Sequence, residues 1–393
     1  KGTRMTLAAT PPKPTAPQRS GRGTSGYASV QADAEALSAQ IARLSAELVE
    51  PDEKKSLRLF TSTETAKILG VTDSYLRHLS RAGEGPLPVR LSGNRNGYSL
   101  NSINELRAYL AKKGGAKARV TLPNRAPGSP GQVIAVANFK GGSGKTTTTA
   151  HLTQYLALKG YSVLAVDLDP QASLSSLFNH RPETDVVAGE TLYGAIRYDA
   201  PRPITEVIRP TYFPGLDLIP GNLELHEFEH ETPRVLMEQS ARQTPFYTRI
   251  ATALNGVIDR YDVVVIDCPP QLGFLTLGAL CAATGVLVTI HPQMLDVASM
   301  SQFLLMTADL MAVVERAGAA SGYRVELDFF RYVLTRFEPR DGPQAQVAGF
   351  LRSLFGERVL TNAMVKSTAL ADAGLSKQTL YEVGREGMTK STY

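Results

Sequence analysis

What this chain lacks narrows it first. It contains only two cysteines, Cys268 and Cys281, and neither stands in a Cys-x-x-Cys pair or near a cluster of histidines. A disulfide framework and a zinc site are therefore without their residues, and the chemistry expected is cytosolic and light in metal. No apolar run reaches the ~18 to 20 residues that cross a bilayer, and the N-terminus has no apolar secretory core, so a soluble protein with no membrane partner is expected. Internal repeats are absent, and so is the Asn-Lys-x-Asp pattern of guanine recognition, which argues against a translation-type GTPase. The formal charge of +5 is only mildly basic, compatible with a polyanionic partner without requiring one.

What is there suffices for one large α/β domain and at least one small one: 393 residues, 43% of them apolar. Residues 1–30 are rich in Pro, Gly, Ser and Thr and are expected to form a disordered arm. Over 31–52, Leu37, Ile41, Leu44 and Leu48 make one helical stripe, which either packs on its own chain or pairs with a second copy. A compact unit follows over 57–113, and 114–131, with Pro123, Pro127 and Pro130, has the composition of a linker. In 132–393, runs rich in β-branched residues alternate with helical segments. The strands expected are 133–137, 162–166, 216–219, 263–266, 285–290 and 330–334, bounded mostly by Gly, Pro or Asp as buried parallel strands are. The first residue, Lys1, points to processing, tagging or a partial sequence.

The strongest chemical signal follows the first of these strands. Val133 to Ala137 leads into Asn138 and the loop Lys140-Gly141-Gly142-Ser143-Gly144-Lys145-Thr146, after which Thr147 and the run 151–159 continue as helix. Strand, glycine loop and helix together make a phosphate cradle. The glycines let backbone N–H groups close on phosphate oxygens at the positive end of the helix, Lys145 neutralises β and γ charge, and the Thr146 hydroxyl is placed to ligate Mg²⁺. The usual opening glycine is replaced by Phe139, and a lysine, Lys140, stands early in the loop.

With this KGGxGKT form the chain resembles the ParA/MinD superfamily of deviant Walker ATPases. The resemblance implies a P-loop fold of α/β type, a mostly parallel sheet flanked by helices, preceded here by a small winged helix-turn-helix domain and an N-terminal helix. It implies ATP and Mg²⁺ as cofactors, and a homodimer that sandwiches ATP, with Lys140 reaching the neighbour's nucleotide. Gly141, Gly142, Ser143, Gly144, Lys145, Thr146 and Thr147 would bind the phosphates. The stretch Asp167-Leu168-Asp169-Pro170-Gln171 stands where the family has its DxDPQ switch, and Asp169 would orient the attacking water with Asp167 in support, near the metal. Their spacing puts both side chains on one face if the strand persists, and the lesser alternative for Asp167 is a helix N-cap. The run 262–270 is similar to a Walker B strand, with Asp267 holding Mg²⁺ through water and Pro269-Pro270 making a stiff switch. The stretch Thr335-Arg336-Phe337-Glu338 either lines the base pocket or is a surface loop, and His291 to Ser299 resembles another loop near the nucleotide.

In the small unit, Thr61 to Glu64 opens a helix that stops at Gly70, and Thr72 caps a second one over 73–81. This helix-turn-helix leaves Ser74, Tyr75, Arg77, His78 and Arg81 to reach a major groove, and the polar turn between 89–91 and 98–100 offers Arg95 to phosphates or the minor groove. A third helix over 102–110 closes it. Joined to the ATPase motifs, the segment resembles the large partition ATPases of the repABC type, from residue 57 onward. The resemblance implies a weak ATPase stimulated by DNA and by a ParB-type centromere-binding partner. It further implies non-specific DNA binding in the ATP state, operator binding and self-repression in the ADP or apo state, and a cytoplasmic, nucleoid-associated location. A nucleotide-gated repressor without a transport role is the alternative. Relatives continue beyond a Thr-Tyr pair such as Thr392-Tyr393, so the resemblance also implies a chain cut short.

Overall fold

A computed structural model describes residues 29–37, 39–40, 55–91, 95–114, 128–129, 131–238, 244–368 and 377–383. The chain divides into a unit of residues 1–53 and a unit of residues 54–393. In the first, the described residues are helical and exposed, with Gln31 donating to Glu35 one turn on at 2.9 Å. The arm at 1–28, the stripe residues Ile41, Leu44 and Leu48, most of the expected linker, the hairpin tip at 92–94 and the end at 384–393 lie outside the described residues.

The second unit opens with β1 (Phe60–Thr61), α1 (Ser62–Leu69), α2 (Asp73–Ala82), β2 (Val89–Leu91), β3 (Arg95–Tyr98) and α3 (Leu100–Lys113). Local chemistry sets each boundary. Thr61 and Glu64 form a reciprocal capping box, and Gly70 at φ 68° ends α1 in the left-handed region that glycine adopts without penalty. Thr72 caps α2 and Gly83, also at φ 68°, closes it. The strands pair antiparallel in the order β1-β3-β2, so the hairpin expected from the sequence gains a third strand. At two residues, β1 was too short to carry a periodic signal.

The larger part holds a seven-stranded sheet. Its strands are β4 (Gln132–Ala137), β5 (Val163–Asp167), β6 (Arg209–Pro210), β7 (Leu216–Ile219), β8 (Val263–Asp267), β9 (Gly285–Ile290) and β10 (Phe329–Leu334). They lie in the order β10-β9-β4-β8-β5-β7-β6, all pairings parallel except β6 with β7. The strands expected from β-branched runs are all present, because strands buried on both faces must be apolar throughout. The edge strand β6 was missed, for it has two residues and one is a proline. Helices on the two faces are α4 (Lys145–Leu158), α5 (Ser173–Leu177), α6 (Leu192–Ile196), α7 (Leu225–Met237), α8 (Phe246–Asn255), α9 (Phe274–Ala282), α10 (Met294–Gly318) and α11 (Gly342–Phe355).

One helix qualifies the expectation that no span-length apolar segment exists. The 25 residues of α10 are long and apolar enough, by length and composition, to cross a membrane. Met300, Phe303 and Val314 are buried in the protein, and Asp296 and Asp309 interrupt the segment, as in a helix that covers one face of a sheet.

The small and large parts share one apolar cluster, in which Leu100, Ile103, Leu106 and Leu110 of α3 join Ala157 and Leu158 of α4. Arg107 reinforces it. Buried at 3% exposure, it donates to the Leu158 carbonyl at the end of α4 and to Asn104 Oδ1. The helix that begins at the glycine loop is thus capped at its far end by the helix-turn-helix part. Replacing Arg107 by alanine removes a charge-assisted donor from buried carbonyls and should lower unfolding free energy by about 1.5–3 kcal/mol, read as a shift of the urea midpoint. A shift too small to resolve would show the two parts held by apolar contact alone.

Candidate functional site

At the carboxyl end of β4 the chain turns on Asn138, whose Nδ2 donates to the Thr289 carbonyl at 2.6 Å and whose Oδ1 accepts the Lys140 N–H at 3.0 Å. The loop then passes Gly142 at φ 73° and Gly144 at φ 89°, positions that disfavour any side chain. A Cβ on Gly144 would also press on Thr335 at 3.3 Å. Side chains from β9 and the end of β10 hold the loop from behind. Thr335 Oγ1 donates to Ser143 O at 2.7 Å, Arg336 Nη1 donates to Gly142 O at 3.3 Å, and the Ser143 and Thr289 hydroxyls share a hydrogen bond of 3.0 Å. With these carbonyls drawn backward, the N–H groups of the same planar peptides face the opposite way, the orientation that an anion at the start of α4 would require.

Lys145 opens α4 at 6% exposure, with Nζ donating to the Lys140 carbonyl at 3.2 Å. Burial lowers its pKa, and the charge of Asp267 works against that shift. Thr147 stands next to Thr146 on the first turn, half-buried. Thr146 lies against the carboxylate of Asp267, and Thr149 Oγ1 donates to Asp267 Oδ1 at 3.3 Å.

Asp267 and Asp167 end neighbouring strands at the same register position, both fully buried. Burial pushes both carboxyls above the ordinary carboxylate range, and at Asp267 the neighbouring Asp167 charge adds to the rise. Asp267 Oδ2 is buried without a hydrogen-bond partner. An orphaned carboxylate oxygen beside a threonine hydroxyl, at the mouth of a phosphate cradle, fits one Mg²⁺ held otherwise by phosphate and water. Among the described residues no group of three or more His, Cys, Asp or Glu is arranged for a metal, in keeping with so sparse a ligand set.

Asp167 is placed differently. Its Oδ2 accepts both N–H and hydroxyl of Ser175 at 2.7 Å, and its Oδ1 accepts the Asp169 N–H at 3.3 Å. These bonds seat the turn that carries Asp169. Because β5 stops at Asp167, the shared strand face expected for the two carboxylates does not extend to Asp169. Asp169 sits in the following turn, half-buried, its Oδ1 accepting the Gln171 N–H at 3.0 Å.

Of the other positions that build this site, Gly221 and Glu229 carried no local signal, while Thr335, Arg336, His291 and Asp296 fall in the runs 335–338 and 291–299 singled out from the sequence. Gly221 donates to Ser175 Oγ at 2.9 Å, and a Cβ there would lie 3.0 Å from the carbonyl oxygens of Asp167 and Asp169. Glu229 on α7 accepts the N–H groups of Phe274 and Leu275 at 2.9 Å, capping α9 just after the Asp267 to Pro270 segment. Thr335 and Arg336 touch the glycine loop itself, and Arg336 adopts a left-handed φ of 52° to do so. Lys140 is ion-paired with Asp296 on α10, and His291 Nδ1 lies 3.3 Å from the other oxygen of that carboxylate. Both cysteines are free thiols, and Cys268, directly after Asp267, is fully buried.

In the helix-turn-helix part, Ser74, Arg77, His78 and Arg81 are exposed on α2 at spacings that share one face. Arg77 is ion-paired with Asp73 one turn earlier. Tyr75 turns the other way, half-buried against the apolar cluster, so it stands apart from that face. Arg95 is exposed at the start of β3.

Comparison with known proteins bears on this geometry. Residues 131–316 match the family model described as an AAA domain. The chain is 55% identical over 359 residues to a putative replication protein A of Sinorhizobium fredii, covering 91% of this chain and 87% of that one. It is 32% identical over 250 residues to the chromosome partitioning protein ParA of Caulobacter vibrioides, covering 62% of this chain and 84% of that protein. The chain belongs to the ParA/MinD superfamily of deviant Walker ATPases. Within solved structures, a cobyrinic acid a,c-diamide synthase from Mycobacterium smegmatis with bound ADP and magnesium is 27% identical, with a TM-score of 0.50 over 63% of this chain and 90% of that one. Membership in the ParA/MinD superfamily accounts for the early lysine: the glycine loop, the Asp267 strand end and the Asp169 turn converge on one cradle, with Lys140 at its rim.

Proposed function

We propose that this protein is a DNA partition ATPase that uses ATP and Mg²⁺. Lys145 and the N–H groups of 141–147 hold the triphosphate, while Mg²⁺, bound near Thr146 and Asp267, would neutralise charge on the phosphates. Asp169 positions the attacking water, and Asp167 keeps the Asp169 turn in place. Two subunits close face to face on ATP, with Lys140 of each at the nucleotide of the other. The closed homodimer binds DNA non-specifically and hydrolysis opens it, slowly alone and faster with DNA and a ParB-type partner. In the ADP or apo state the winged helix-turn-helix takes over: Ser74, Arg77, His78 and Arg81 on the exposed face of α2, together with Arg95 at the start of β3, bind an operator and repress the chain's own operon. Such a protein works in the cytoplasm on the nucleoid.

The observation that supports this reading best is the division of labour between the two loop lysines. Lys145 is buried inside the cradle, whereas the Lys140 side chain is 42% exposed at its rim and bound to Asp296. A monomeric nucleotidase needs only the first. Sedimentation with ADP and with a non-hydrolysable ATP analogue, with and without DNA, tests it: a dimer is expected with the analogue alone, and a DNA-bound dimer when DNA is added. A chain that stays monomeric with the analogue at several times its Kd sinks the reading. Steady-state turnover separates the alternative, because a nucleotide-gated repressor without a transport role would show no joint stimulation by DNA and the centromere-binding partner.

A further inference from the structure

We infer that Asp296 is a positioning residue that latches Lys140 within its own subunit, and that nucleotide binding loosens this latch before Lys140 can engage a second copy of the chain. The inference rests on the face-to-face dimer proposed above and adds to it the step that keeps the empty protein from closing.

The residue 140 position is held at three points. Its N–H is fixed by Asn138 Oδ1 at 3.0 Å, its carbonyl accepts Lys145 Nζ at 3.2 Å, and its own ammonium is ion-paired with Asp296 Oδ1. Asn138 is anchored in turn on Thr289, and Phe139 packs on Phe303 of α10 with ring centroids 5.8 Å apart. The backbone around Lys140 is therefore tied to β9 and α10, and a change of side-chain rotamer is the least costly movement open to it.

Asp296 is built to hold a cation at this spot. It is buried at 7% exposure in the first turn of α10, where the helix dipole favours a carboxylate. His291 Nδ1 stands 3.3 Å from its second oxygen. Burial and the charges of Arg336 and Lys140 hold His291 below the usual histidine pKa, so the imidazole is the weaker of the two partners and Lys140 supplies the countercharge. Taking Lys140 away leaves a buried carboxylate with little to balance it, an arrangement that resists opening.

A triphosphate acts on the second anchor. Lys145 now spends its ammonium on the Lys140 carbonyl, and phosphate oxygens, being charged, are better acceptors than a carbonyl. Once Lys145 turns to phosphate, residue 140 loses one of its three restraints; Asn138 still holds its N–H, and the ion pair with Asp296 is the side-chain contact that the attraction of a second subunit's triphosphate has to break. ADP offers the same cradle but lacks the γ-phosphate that would draw Lys140 out. Asp296 thus penalises closure in the empty and ADP states more than in the ATP state.

Asp296→Asn keeps the shape and removes the charge. Two readouts on the full chain test it, after thermal melting has shown that the variant is folded. The first is acylation of Lys140 in nucleotide-free protein, followed by mass spectrometry of its peptide: the parent should react slowly and D296N about tenfold faster, because the contact with Asp296 occupies the amino group and holds it away from the reagent. The second is sedimentation, where D296N should dimerise with the ATP analogue at about tenfold lower protein concentration than the parent. Asp296→Glu should restore slow acylation. Equal Lys140 reactivity in parent and D296N overturns the latch, and so does weaker dimerisation of a folded D296N. Acylation is read without nucleotide, so it judges the latch even if the parent fails to dimerise, which would instead count against the dimer itself.

Discussion

Replacing Lys145 by alanine should abolish nucleotide binding at working concentrations, with an ATP Kd at least about 100-fold above the parent's, a loss of about 2.7 kcal/mol. The side chain is buried at 6% exposure, where desolvation lowers its pKa and the nearby charge of Asp267 works against that shift. The protein thus keeps a cation poorly hydrated in advance of its ligand, so that a phosphate entering the cradle meets a charge whose solvation has already been given up. Removing it leaves Asp267 and Asp167, fully buried and side by side, facing an incoming polyanion. Titration with a fluorescent ATP analogue measures the loss. Affinity within threefold of the parent's would mean that the cradle N–H groups alone hold the phosphates and that Lys145 has another task.

Asp169→Ala separates chemistry from closure. The carboxylate stands in the turn after β5, one oxygen fixed by the Gln171 N–H and its backbone positioned by Asp167 and Ser175. A group held this way just past the carboxyl end of β5 can orient water without itself holding the phosphates. Losing it should lower single-turnover hydrolysis by about 10²- to 10⁴-fold, the usual range for a positioned acid–base group, and leave ATP binding within a few-fold. The ATP dimer should then persist on DNA through hours of incubation, detected by co-sedimentation. Asp167→Ala should behave otherwise. It empties the acceptor for Ser175 and unseats the turn over Gly221, so folding stability should fall along with turnover. If Asp169→Ala turns over as the parent does, the water-positioning role belongs elsewhere in the site.

The parts legible in the sequence share one property: their causes are local. The glycine loop is recognisable because strand, left-handed glycines and helix follow one another within a short stretch. Strands β4, β5, β7, β8, β9 and β10 announced themselves because burial on both faces requires unbroken apolar runs. The ends of α1 and α2 were legible because Thr61, Gly70 and Thr72 act on neighbours a few residues away. Asp267 and Asp169 were singled out by the motifs around them, each close after an apolar run that forms a strand.

Tertiary structure decided whatever depends on which distant segments meet. Glu229 caps a helix 45 positions further along and Arg107 binds a carbonyl 51 positions away, neither with a local pattern to betray it, and although Asp296 stands in the run 291–299 singled out from the sequence, its pairing with Lys140 was not legible there. The orientation of Tyr75 away from the exposed face of α2 likewise follows from where the apolar cluster lies, and the length of β1 and β6 from which edges were left to pair. A sequence dictates propensities and charges along one dimension. Which carboxylate faces which lysine is set by packing of the whole sheet and its helices, because hydrophobic burial brings segments together without regard to their separation in the chain.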